Sequence, residues 1–101
     1  MRELLEKLEG VMPRPWALKF MDDLAWMLAG ESYDYIIKPG EGDVGLAPLT
    51  ALLKQEMGEF TIERGWFDGA LFWWFRDGER HATEFEAVAS AYLSLRPKEE
   101  A

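Results

Sequence analysis

The chain has 101 residues, of which 49% are hydrophobic, 14% aromatic and 30% charged, a composition that places it with folded globular domains and leaves too little chain for a second large core. Nineteen Asp and Glu against eleven Lys and Arg give a formal charge of -8, which opposes nonspecific attraction to nucleic-acid phosphates or anionic lipid. There is no cysteine, so thiolate catalysis, disulfide frameworks, iron–sulfur clusters and cysteine zinc sites are excluded.

A single domain over residues 1–101 is expected. Met1 to Lys7 mixes both charge signs and lacks the apolar core of a signal peptide, and no apolar run approaches the ~20 residues of a spanning helix. These features predict a soluble protein of a reducing cytoplasm, with no membrane association.

From Arg2 to Val11, Leu4, Leu5, Leu8 and Val11 recur at helical spacing and predict a short amphipathic helix ending at Gly10. Pro13 and Pro15 bar its continuation. Trp16, Phe20, Leu24, Met27 and Leu28 then recur at three and four residues, which predicts a second helix with Asp22 and Asp23 off its apolar stripe and Gly30 as its stop. Tyr33 to Ile37 is β-branched and aromatic and predicts a strand closed by Pro39. The loop Gly40 to Gly45 follows. Leu49, Leu52, Leu53 and Met57 mark a third helix, in which Pro48 is acceptable because it falls in the opening turn, and Gly58 ends it.

Phe60 to Phe67 and Ala70 to Arg76 are aromatic and β-branched runs joined by Asp68-Gly69, the signal of a two-residue hairpin turn. If Phe67 faces Ala70, Trp66 pairs with Leu71, Arg64 with Trp73 and Ile62 with Phe75, leaving Thr61, Glu63, Phe72 and Trp74 on the other face. Asp77-Gly78 ends the second strand. Thr83 to Glu86 has the spacing of a capping box that opens a last helix, with Phe85, Val88, Ala89, Tyr92 and Leu95 as its stripe. Residues 97–101 read as a solvated tail. The predicted order is α-α-β-α-β-β-α, and the predicted class is a small single-domain α/β (α+β) sandwich with an antiparallel Trp-rich hairpin packed by helices.

Gly65-Trp66-Phe67, Phe72-Trp73-Trp74, Ala82-Thr83 and Ala87-Val88-Ala89-Ser90-Ala91, with the opening Leu4-Leu5-Glu6-Lys7-Leu8-Glu9, resemble the small bacteriophage proteins called phage ABA sandwich domains. The resemblance implies an α/β sandwich encoded by a phage and placed in the bacterial or phage-infected host cytoplasm. It supplies no catalytic residues.

Gly40-Glu41-Gly42-Asp43-Val44-Gly45 is a G-x-G-x-x-G between a predicted strand and a predicted helix, with Glu63 following in the next strand. In a nucleotide-binding reading Gly40, Gly42 and Gly45 admit a pyrophosphate to the backbone and Glu63 takes the ribose hydroxyls. Against it, Glu41 and Asp43 put negative charge where phosphates would sit, Pro39 intervenes after the strand, and the following hairpin is antiparallel. An acidic surface loop without a cofactor is the favoured reading.

No catalytic constellation emerges. His81 and Glu84 form an isolated H-x-x-E pair where metal sites need three or four ligands, and Ser32, Ser90 and Ser94 lack a nucleophile-elbow context. The acidic loop lacks the closing Glu of a calcium site, and Asp22 with Asp23 or Glu84 with Glu86 read as solvated faces. Neither a catalytic nor a metal residue is assigned.

Trp66, Phe67, Phe72, Trp73, Trp74 and Phe75 exceed what one face of a two-stranded hairpin can bury. Either helices cover both faces, or Phe67, Phe72 and Trp74 form a partner-binding patch. Nucleic-acid stacking would need a basic groove, for which only Arg64, Arg76 and Arg80 are at hand among Glu63, Asp68, Asp77 and Glu79, so nucleic acid is disfavoured. The reading is a small acidic, non-enzymatic binding or accessory protein that contacts a protein partner or forms a homodimer. The alternatives are an inhibitor or immunity-type protein for a basic partner and a nucleotide-binding mini-domain.

Overall fold

The computed structural model describes residues 1–58, 61–76 and 78–95. Along the chain run α1 (Arg2–Glu9), β1 (Ala17–Asp22), β2 (Ala25–Ala29), β3 (Asp34–Ile37), a 3-10 turn (Pro39–Glu41), α2 (Gly42–Gly45), α3 (Ala47–Met57), β4 (Ile62–Phe67), β5 (Ala70–Phe75) and α4 (Glu84–Leu95). The α+β class is therefore correct, with a sheet β1-β2-β3 and a sheet β4-β5, both antiparallel. The chain divides into two compact units, Met1–Leu49 and Thr50–Ala101.

In the first unit the predicted helix over Trp16 to Leu28 is instead the β1–β2 hairpin, which corrects the element order after α1. Leu, Met, Ala and Trp serve either period, and turn chemistry decides between them. Asp22 Oδ1 accepts the Leu24 backbone N–H at 2.8 Å, an Asx turn that reverses the chain at the pair of aspartates. Register then puts Leu18, Phe20, Trp26, Leu28, Tyr35 and Ile37 on one face, and of these Leu18, Trp26, Leu28 and Ile37 are buried. Phe20 and Leu24, expected in the buried stripe, are 41% and 79% exposed. Gly30 is not a helix stop: the Trp16 ring lies against it, so closely that a Cβ there would meet ring carbons at 2.7 to 2.9 Å.

Helix α1 presents Leu5 and Leu8 as its buried side and packs against β1. Its Arg2 reaches the β1–β2 turn, with its guanidinium 3.1 Å from Asp23 and 4.4 Å from the centre of the Phe20 ring. The predicted loop Gly40 to Gly45 is also corrected, being a 3-10 turn followed by one turn of helix.

In the second unit β4 and β5 pair in the predicted register, Phe67 with Ala70 through Ile62 with Phe75. Asp68 and Gly69 both have positive φ, 53° and 78°, the backbone of the tight turn whose twist matches that of the strands. The strand predicted to open at Phe60 begins at Ile62 among the described residues, since positions 59 and 60, like Asp77 of the second Asp-Gly and the tail 97–101, lie outside them. Gly58, at φ 72°, closes α3 where expected. The capping box of α4 forms: Glu86 N–H donates to Thr83 Oγ1 at 3.2 Å, and the Thr83 hydroxyl donates to Glu86 Oε1 at 3.1 Å. Phe85, Val88, Ala89 and Tyr92 are buried as predicted, whereas Leu95 is 40% exposed because it sits in the last turn.

Candidate functional site

Sheet register gathers Glu63, Gly65, Phe67, Ala70, Phe72 and Trp74 on one face of the β4–β5 hairpin. The opposite face carries Phe75, which lines a hollow with Ala87, Ser90, Ala91 and Ser94 of α4, so the helix packs on that side. The predicted patch residues Phe67, Phe72 and Trp74 are thus brought together, on the face turned away from α4. The Phe67 ring centre lies 6.3 Å from that of Phe72 and 5.7 Å from that of Trp74, both pairs tilted. Phe67 is 37% exposed, and Phe72 and Trp74 are half-buried. Gly65 makes room for the cluster: a Cβ at this position would stand 3.1 Å from Trp74 Cη2 and 3.4 Å from Phe67 Cε2.

Arg80 completes the group. Its guanidinium carbon is 3.9 Å from the Phe67 ring centre and 5.5 Å from that of Trp74, so a cation lies over two electron-rich faces. The neighbouring Arg76 lies 4.7 Å from the Phe75 ring centre. The segment after β5 is held to the hairpin because Trp73 and His81 exchange backbone hydrogen bonds of 2.9 and 2.7 Å, which fixes Arg80 next to the strand. Trp74, Arg76, Gly78, Glu79 and Arg80 line an open depression of about 630 Å³.

The glycine motif is accounted for by backbone. Gly45 lies so close to the Lys38 carbonyl that any Cβ would collide with it, while Lys38 N–H donates to the Gly45 carbonyl at 3.0 Å. Gly40 and Gly42 both have open space around them, but Gly42 has φ 66°, a conformation that favours glycine. Gly40, Gly42 and Gly45 belong to the first unit and Glu63 to the second, where it is exposed opposite Trp74.

Among the described residues no group of three or more His, Asp or Glu is placed to hold a metal ion, and no helix is long and apolar enough to cross a membrane. His81 contributes backbone to a β-bridge and lines the hollow beneath α4. Two features of the aromatic surface escape a reading of the sequence. Trp66, on the face opposite Phe67, Phe72 and Trp74, is nevertheless 71% exposed because it stands next to the turn. Trp16 stacks on Tyr35 with ring centres 6.1 Å apart, and Tyr35 meets Tyr33 at 6.3 Å, a row visible only once β1 and β3 flank one sheet. Comparison with known proteins gives no matching family model, no matching curated protein and no matching solved structure.

Proposed function

We propose that the chain is a small acidic binding or accessory protein without chemistry of its own, phage-encoded and cytoplasmic, whose β4–β5 hairpin contacts a protein partner through Phe67, Phe72 and Trp74. The observation that carries this reading is the clustering of three aromatic rings and an arginine on the hairpin face turned away from α4, with Phe67 37% exposed. Aromatic and arginine side chains are the types that concentrate binding energy at interfaces, because they bring large contact area with few rotatable bonds. Trp66, at the same end of the hairpin, extends the apolar surface around the turn.

The test is a comparison of wild type with Phe67→Ser in partner capture and in sedimentation. The reading expects an unchanged melting curve with loss of a partner, or of self-association if the partner is a second copy. Identical partners and identical self-association for both proteins would refute it.

A further inference from the structure

The sheet β1-β2-β3 is largely apolar on both sides. Its inner side holds the buried Leu18, Trp26, Leu28 and Ile37, and α1 lies on that side, with Arg2 over the ring of Phe20. Register puts Ala17, Ala29 and Asp34 in one row of the opposite side and Lys19, Met27 and Ile36 in the next. Four of these six residues are apolar, where an antiparallel sheet with a wet face normally alternates to polar side chains. This side is open: Ile36 is 45% exposed, Lys19 and Asp34 are exposed, and Ala17, Met27 and Ala29 are half-buried. Its edges are poor templates for a further strand, since β1 carries a lysine and a bulge between Phe20 and Asp22 and β3 is four residues long.

We propose that this open side is a contact between two copies of the chain, stacked sheet on sheet about a two-fold axis parallel to β2. The order of charges selects that axis. From the Ala17 end to the turn end, β1 carries Lys19 and then Asp22, while β3 carries Asp34 and is followed by Lys38 in extended backbone. A two-fold axis along β2 lays β1 of one copy over β3 of the other, so that plus-then-minus meets minus-then-plus, twice in the dimer. Asp22 then stands over the second copy's Lys38, and Lys19 stands over the second copy's Ile36 with the second copy's Asp34 two residues along, about 7 Å and within the span of a lysine stem. Met27 meets its own copy at the centre, where its flexible thioether can fill the gap between the faces. An axis running across the strands would instead lay β1 on β1, bringing lysine towards lysine. Three strands about 4.8 Å apart make a small face, so the contact belongs to the transient class that buries less than about 1,200 Å² in all. The charge of -8 on each copy opposes the contact only weakly, because at physiological ionic strength charges beyond roughly 8 Å are largely screened.

The test is sedimentation equilibrium of the full chain from about 10 µM to about 1 mM, in which a monomer–dimer equilibrium with a Kd of about 100 µM is expected. Asp22 and Lys38 also have local partners, the Leu24 N–H and Glu41, so the variants address Lys19 and Asp34. Asp34→Lys sets like charges together at both ends of the dimer and should weaken association at least about tenfold, as should Lys19→Asp, with Asp34→Asn weaker in effect than Asp34→Lys. Combining Lys19→Asp with Asp34→Lys should restore association to within about threefold of wild type. Within one copy the two residues stand on strands that are not neighbours, about 10 Å apart, so rescue reads contact between copies. Both side chains are exposed, and the melting curves should stay alike. Phe67→Ser, in the hairpin of the second unit, should leave the Asp34-sensitive step unchanged. A chain that stays monomeric to about 1 mM, unaltered association of Asp34→Lys, or failure of the double exchange to rescue would overturn the inference. Association lost in Phe67→Ser but kept in Asp34→Lys would also overturn it, in favour of the hairpin as the self-contact. The partner-binding reading of the hairpin is judged separately, by what Phe67→Ser captures.

Discussion

Trp74 lies across Gly65 of the paired strand, its Cη2 atom 3.1 Å from where a Cβ on Gly65 would stand. The glycine is the absent side chain that lets the indole lie down beside Phe67 and under Arg80. Replacing it should therefore act on the surface more than on the fold. Gly65→Val is expected to lift Trp74 off the strand, with a changed near-ultraviolet circular dichroism and a shifted Trp74 indole signal. The cost in stability should be about 1 kcal/mol, because overpacking is partly offset by the better strand propensity of valine.

Asp68 and Gly69 hold the hairpin turn with φ values of 53° and 78°. A β-branched residue is strained at positive φ, so Gly69→Val should lower stability by about 2 kcal/mol, whereas Gly69→Asn should cost much less. Chemical denaturation of the two variants measures the difference. Equal losses would mean that backbone conformation at the turn is not what the glycine supplies.

Two glycines of the Gly40–Gly45 segment should separate sharply. Gly45→Ala drives a methyl group into the Lys38 carbonyl and should cost about 2 to 3 kcal/mol, while Gly40→Ala meets nothing within 4 Å and should fall within roughly 0.5 kcal/mol of wild type. Titration with NADH or ATP should give no heat of binding. Micromolar binding abolished by Gly40→Ala would restore the nucleotide reading.

Thr83 caps α4 through its hydroxyl, 3.2 Å from the Glu86 nitrogen. Thr83→Ala should cost about 1 kcal/mol and Thr83→Ser little, as read from thermal melts. Because the hairpin face is turned away from α4, neither change should alter binding at Phe67.

The second half of the chain was the more legible in sequence. Asp68-Gly69 permits one tight turn, that turn dictates the register from Phe67–Ala70 to Ile62–Phe75, and the Thr83–Glu86 spacing marks the start of α4. In the first half, Trp16 to Leu28 satisfies a helical stripe and a strand alternation about equally. The deciding signal was the Asp22-Asp23 pair, whose side chain closes an Asx turn, and it is short and local beside thirteen residues of apolar periodicity. Phe67, Phe72 and Trp74 were readable as one face from register alone. The place of Arg80 over Phe67 was not, since it depends on the Trp73–His81 bridge, a pairing of residues eight apart that no motif announces.

The central claim is that the Phe67, Phe72 and Trp74 face is the surface by which the chain binds other proteins, and the measurement closest to it makes no assumption about the partner. Peptides would be selected against the whole chain from an unbiased random library, and the bound positions mapped by ¹⁵N–¹H NMR shift changes. The account predicts that independent peptides converge on Phe67, Phe72, Trp74 and Arg80 and lose at least tenfold in affinity against Phe67→Ser, a loss of about 1.4 kcal/mol. Convergence instead on the Gly40–Gly45 segment or the Trp16–Tyr35–Tyr33 row, with the hairpin signals unmoved, would contradict it.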